Sequence, residues 1–265
     1  MTQQPAPAEG WDCHVHVFAA AAPAAAGHYQ PSDALLPEIE ALAARHGVGH
    51  LVLVQPSVYG TDNGVLLRAL QAGGGRHRGV VVLDEAVSEQ EIDTLHESGV
   101  RGVRFNLVSP VGNAATALPR LAPLLAERGW HVQWYAGGAQ LQHIAELQAR
   151  TGLRFVLDHL GGLGAQEQQD ARLWSTMERL AAAGAWLKLS GWYRLRAAHP
   201  YLDLVPAIQR AHALFGDHLV WGSDWPHTSF ARGDRPAYEA VLHPVTIALG
   251  EANTQRILRD NPRAL

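Results

Sequence analysis

Short runs rich in Val, Leu and aromatic residues recur along the chain, and between them lie longer stretches whose apolar residues return every three or four positions. The first spacing suits strands and the second suits helices. Strands are predicted in WDCHVHV from residue 11, HLVLVQ from 50, GVVVLD from 79, GVRGVRFN from 99, HVQWYA from 131, RFVLDHL from 154, AWLKLS from 185 and HLVWGSDW from 218. Stretches such as LLPEIEALAARHG and LPRLAPLLAERG end in glycine, as helix C-termini commonly do.

Eight strands, each followed by a helix in units of about 25 to 35 residues, match a (β/α)8 barrel. The competing arrangement is a doubly wound open sheet, which usually carries a glycine-rich phosphate turn after its first strand. Here His14 and His16 occupy that place. No linker or repeat divides the chain, so residues 1–265 are expected to form a single α/β barrel domain.

A strand turns alternate side chains to opposite faces. In WDCHVHVF this predicts Asp12, His14 and His16 on one face, with Cys13, Val15 and Val17 on the other, toward the helices.

Composition narrows the partners. A net charge of -4 without a basic or acidic block gives no face for nucleic acid and no polybasic run for a membrane. Cys13 is the single cysteine, which excludes an intramolecular disulfide and a thiolate zinc cluster and fits a reducing cytoplasm. The opening MTQQPAPAEG lacks a basic and then apolar leader pattern, and no apolar run reaches the roughly 18 residues of a spanning helix. The expected location is cytoplasmic, and a homodimer is the assembly allowed for.

Barrel enzymes place their working groups at the C-terminal ends of strands. His14 and His16 end the first strand, and Ser57 and Asn63 follow the second. Arg104 and Asn106 end the fourth, Tyr135 the fifth, Asp158 and His159 the sixth. Ser190 and Arg194 follow the seventh, and Asp224 the eighth. A lone histidine at a strand end is ordinarily a hydrogen-bonded structural residue, but His14, His16, His159 and Asp224 on one rim point jointly to catalysis.

These residues stand in the order H-x-H, QPSxYGTDN, GVRGVRFN, GWHVQ, DHLG, KLSG, GSDWPH and DNPRAL, spread over nearly the whole chain. That order resembles the lactonase branch of the amidohydrolase superfamily. The resemblance implies a barrel, hydrolysis of a lactone ring and catalysis without a metal. It also implies carboxylate binding by Arg104 and Arg194 and polar substrate contacts from Tyr29, Ser57 and Tyr135, with Asn63 counted beside them.

Two-metal amidohydrolases add a carboxylate-type bridge from strand four and a histidine from strand five, whereas this chain has Arg104 or Asn106 and Tyr135 there. A permanent arginine charge opposes a nearby cation. The favoured site therefore holds no metal and no other cofactor. The alternative is one divalent ion, zinc, on His14, His16, His159 and Asp224.

The expected reaction has Asp224 as general base toward water, His14, His16 and His159 stabilising the oxyanion, and arginines holding a carboxylated, 2-pyrone-4,6-dicarboxylate-like lactone. One departure bears on the substrate. The loop after strand four reads RFNLVSPVGN, with Ser109 and Pro110 where the branch carries further basic residues, so a monocarboxylate lactone becomes as good a candidate as a dicarboxylate. The alternatives are a metal-dependent amidohydrolase or decarboxylase, and a sugar-acid lactone hydrolase or isomerase on the same barrel.

Overall fold

The structure is a computed structural model that describes residues 8–25, 30–108 and 115–265. Tyr29, Ser109 and Pro110 lie outside the described residues.

Eight strands form one parallel sheet in sequential order. They are β1 (Gly10–Val15), β2 (Val48–Val54), β3 (Arg78–Val81), β4 (Val100–Asn106), β5 (His131–Tyr135), β6 (Phe155–Leu157), β7 (Trp186–Leu189) and β8 (Leu219–Trp221). Each overlaps a stretch predicted from the sequence, with β1, β2 and β3 beginning one or two residues earlier. The ring closes where the chain leaving β8 meets β1: Asp224 N donates to His14 O at 2.9 Å and His16 N to Trp225 O at 2.8 Å. Helices cover the outside, from α1 (Leu36–Ala44) through α8 (His243–Gln255). This is a (β/α)8 barrel, as predicted.

Two apolar layers hold it together. The larger lies between the strands and the helices and includes Leu51, Leu53, Val103, Phe105 and Leu187 from the strands, packed with Ile39, Leu121, Ile144 and Ile208 from the helices. The smaller is built from strand residues alone: Cys13, Val52, Val54, Val80, Val156, Trp186 and Val220. It fills the barrel interior with side chains, as such barrels require.

Cys13 in that inner layer corrects the strict alternation predicted for the first strand. The pairing of β1 with β2 shifts register between Asp12 and Val15. A bulge of this kind re-aims the side chains around it. Cys13 consequently points inward, and Asp12 turns to accept from Ser223 N at 2.9 Å and from Tyr238 OH at 2.8 Å. Asp12 is a buried strut for the barrel seam and stays outside the rim pocket.

Candidate active site

The seam that closes the barrel also builds the site. His14 and His16 leave β1 next to the residues that follow β8, so Asp224 comes to lie beside both imidazoles. Its Oδ1 is 3.3 Å from His16 Nε2 and 3.7 Å from His14 Nε2. His159, from the turn after β6, stacks at a tilt on His14 with ring centroids 4.9 Å apart. The four residues predicted for the rim are thus brought into one cluster, and each is buried.

Close backbone approach makes room for these rings. A Cβ on Gly222 would lie 2.5 Å from His14 Cβ and 2.9 Å from its backbone nitrogen, and a Cβ on Gly191 would overlap the His159 ring. His159 and Asp224 themselves hold φ of 50° and 59°, in the left-handed region that L residues avoid. Strain of about 1 to 3 kcal/mol per residue persists only where surrounding contacts enforce it, and it concentrates at functional sites.

The other face of each side chain is fixed by a partner. His16 Nδ1 is 2.7 Å from Val54 O, an acceptor only, so Nδ1 carries the proton and Nε2 presents a lone pair to Asp224. His159 Nδ1 is 2.9 Å from Ser190 Oγ. Asp224 Oδ2 accepts from Tyr193 OH at 2.6 Å and from Arg194 Nε at 2.5 Å. Burial alone would raise the Asp224 carboxyl, yet Arg194 and the imidazoles hold it well below the usual carboxylate range. Burial pushes His159 down to about 4 and holds His14 well below the ordinary imidazole value.

Under the histidines, inside the barrel, lies a second polar layer. Asp158 Oδ1 is 3.2 Å from His14 Nδ1, and its Oδ2 accepts from Gln133 Nε2 at 3.0 Å. Lys188 Nζ donates to Gln133 Oε1 at 2.7 Å and reaches His14 Nδ1 at 3.4 Å. Arg104 Nε stands 3.5 Å from Asp158 Oδ2. Sequence reading missed the parts played by Asp158, Gln133, Lys188 and Tyr193. The signal was present for Lys188, a lysine in the middle of the apolar run AWLKLS, where a charge needs buried partners.

A cavity of about 270 Å³ opens above this cluster, lined by His16, Ser57, Arg104, Asn106, Tyr135 and Arg194, with Thr228 and Ser229 at its edge. Tyr135 sits between the two arginines, whose guanidinium carbons lie 5.4 Å and 5.8 Å from its ring centroid. Arg104 Nη1 donates to Gln55 O at 3.2 Å. Its Nε is turned toward Asp158, and the side chain forms part of the cavity wall. Arg196, a further arginine of the loop after β7, is exposed and takes no part in the lining.

Asn63 lies elsewhere. Its side chain is spent on the backbone, donating to Val82 O at 2.8 Å and Thr61 O at 3.0 Å and accepting from Val82 N at 3.1 Å. It lines a separate surface groove with Asp84 and Leu95. The physical reason is local: the amide bridges the second strand's loop to the end of β3, spending both of its hydrogens and one oxygen lone pair on the backbone.

A barrel whose rim gathers three imidazoles, a carboxylate and two guanidiniums over a small polar cavity defines a hydrolase-type site at the C-terminal face of the strands. The sequence pattern of the amidohydrolase family, described as "Amidohydrolase", matches residues 11–265, and the chain belongs to that family. It is similar to the 2-pyrone-4,6-dicarbaxylate hydrolase of Comamonas testosteroni, 30% identical over 278 residues covering 98% of this chain and 90% of that protein. It is equally similar, at 30% over 269 residues with coverage of 98% and 90%, to the 4-sulfomuconolactone hydrolase of Rhizobium radiobacter. Among solved structures, a putative 2-pyrone-4,6-dicarboxylic acid hydrolase from Pseudomonas putida superposes with a TM-score of 0.86 at 31% identity, covering 97% of both chains.

The same fold occurs with bound zinc in an amidohydrolase from Burkholderia multivorans, at a TM-score of 0.72, 22% identity and coverage of 97% and 98%. Donor spacing in the present chain suits a divalent ion, since ligand atoms of His14, His16 and Asp224 fall within 4.8 Å of one another and His14 Nε2, His159 Nε2 and Asp224 Oδ1 have no hydrogen-bond partner. The charges around them do not suit it. Among the described residues Lys188, Arg104 and Arg194 pair with two carboxylates, Asp158 and Asp224, so with neutral imidazoles the buried cluster carries surplus positive charge. A dication would add to that surplus in a medium that screens poorly. An anion would relieve it.

Proposed function

We propose that this enzyme hydrolyses the lactone ring of a small anionic substrate without a metal. The observation that carries the reading is Asp224 Oδ1 facing the His16 Nε2 lone pair at 3.3 Å beneath a cavity edged by Arg104 and Arg194. Two acceptors so placed take the two hydrogens of one water and leave its oxygen lone pairs directed at a substrate carbonyl. The names of the relatives, hydrolases of a pyrone dicarboxylate and of a sulfomuconolactone, support an anionic lactone as the substrate class.

The reaction balances with the groups present. Water oxygen bonds to the lactone carbonyl carbon while one of its protons passes to Asp224. The oxyanion is met by N–H donors from His14 and His159, which act before reaction as fixed dipoles. Collapse of the tetrahedral adduct breaks the ring C–O bond, and the leaving oxygen takes the proton held by Asp224. The second proton of the water stays on the new carboxyl group and is lost to solvent as that group ionises, so the products are a carboxylate, a hydroxyl and one released proton. Asp224 is a weak base because Arg194 and Tyr193 hold its other oxygen, and its contribution comes from position and burial more than from basicity.

Arg104 fixes the substrate anion. Its test is Arg104→Met, assayed on a pyrone dicarboxylate, a pyrone monocarboxylate and a neutral lactone. For the anionic substrates kcat/KM is expected to fall by roughly 2 to 4 kcal/mol in transition-state terms. The neutral lactone is expected to change little. Equal losses on all three would remove the anchor from the proposal and leave a neutral lactone as the substrate class.

A further inference from the structure

The three imidazoles pack into one buried cluster, but their nitrogens have different partners, and those partners decide which form each ring takes. Val54 O forces His16 to keep its proton on Nδ1. His14 Nδ1 stands between two groups of opposite character: the Lys188 ammonium at 3.4 Å, a donor, and the Asp158 carboxylate at 3.2 Å, an acceptor. A proton on His14 Nδ1 would leave a lone pair on Nε2. A lone pair on Nδ1 would place the proton on Nε2, on the side of Asp224.

We propose that Lys188 is a positioning residue that occupies the Nδ1 lone pair of His14 and so presents Nε2–H to the pocket as an oxyanion donor. The inference rests on the lactonase reading above and deepens it by assigning the tautomer on which that reading depends. Lys188 is 1% exposed and enters the barrel interior from β7. Its ammonium has three hydrogens and three acceptors at hand: Gln133 Oε1 at 2.7 Å, His14 Nδ1 at 3.4 Å and Asp158 Oδ1 at 3.5 Å.

Two observations favour this tautomer over the one Asp158 would select. First, Asp158 Oδ1 has no hydrogen bond despite its proximity to the ring, so that contact has the distance of an ion pair without the direction of an N–H···O bond. Second, a lone pair on His14 Nε2 would converge with the His16 lone pair and Asp224 Oδ1, three acceptors within a buried cluster and no donor among them. The Nε2–H form supplies that donor, aimed at Asp224 in the resting site and at the oxyanion during reaction. Gln133 completes the device by joining Lys188 to Asp158 through both ends of its amide.

The experiment is nitrogen NMR on the full chain with labelled histidine, the His14 signals being assigned by their loss in His14→Gln. The expected spectrum has a pyrrole-type Nε2 and a pyridine-type Nδ1 for His14. In Lys188→Met the only partner left for Nδ1 is Asp158, and the pattern is expected to invert while kcat falls on the order of a hundredfold and KM stays within about threefold. Lys188→Gln retains an amide donor and serves where the methionine variant fails to fold. It is expected to keep the wild-type pattern and a larger share of kcat. A wild-type His14 protonated on Nδ1, or a Lys188→Met spectrum unchanged from wild type, overturns the proposal. The spectrum needs no substrate, so the assignment of Lys188 and the choice of lactone stand or fall separately.

Discussion

Asp224 and His16 face each other at the barrel seam: the carboxylate Oδ1 is 3.3 Å from His16 Nε2, while Nδ1–H of the same ring donates to the Val54 carbonyl. Both groups are buried. In the proposed mechanism this pair receives the attacking water.

Asp224→Asn tests that relationship directly. The amide keeps the shape but cannot take up the proton of water, so kcat is expected to fall by a factor on the order of hundreds, with KM within a few fold. Steady-state kinetics on an anionic lactone provide the measurement. A variant with wild-type kcat would leave Asp224 as a structural partner of Arg194 and Tyr193.

Metal dependence is settled by removal and return. Protein treated with a chelator and freed of metal by elemental analysis is expected to retain its lactone-hydrolysing rate, and added zinc is expected not to raise it. Loss of activity on removal and recovery with zinc would replace the metal-free mechanism.

Gly191 sits at φ 59° with its α-carbon against the His159 ring, where a Cβ would overlap the imidazole. Gly47 has φ 74° and nothing within 4 Å of a Cβ. Alanine at either position costs about 1 kcal/mol in backbone strain. Only Gly191→Ala also displaces His159, so its kcat is expected to drop tenfold or more while Gly47→Ala keeps the wild-type rate. Melting temperatures measured beside the kinetics separate strain from displacement, and equal rates for the two variants would take His159 out of the reaction.

His131 predicts an acid limb in stability. It is the first residue of β5, fully enclosed, with neither ring nitrogen hydrogen-bonded, and burial pushes it down to about 3. Its unfolded value is near 6.5, so between roughly 3 and 6.5 the unfolded chain binds the extra proton and stability falls as pH drops. At pH 5 this single group accounts for about 2 kcal/mol. His131→Leu, compared with wild type by denaturant titration at pH 7 and pH 5, is expected to lose less stability between the two. Parallel losses would place the acid sensitivity in the other buried histidines.

The strands, their order and the rim residues were legible in the chain because they depend on local regularities. Each β-branched run is short enough for a strand, and a strand's last residues must lie at the barrel's C-terminal face. That placed His14, His16, Arg104, Tyr135, His159, Arg194 and Asp224 on one rim before any packing was known. Asn63 satisfied the same rule and still lies apart, since its amide was free to find Val82.

What the chain alone determined, then, is which residues reach the rim. What only the tertiary structure decided is which of their atoms face one another. Cys13 turned inward because β1 shifts register against β2, a property of the pair of strands. Arg194 met Asp224, and Lys188 met His14, across separations of 30 and 174 residues, because ring closure and strand stagger bring β1, β7 and the end of β8 to one depth in the barrel. Sequence periodicity specifies a side chain's face within its own strand. The partner across the barrel depends on the register of every strand between them, and so does the proton each buried histidine carries.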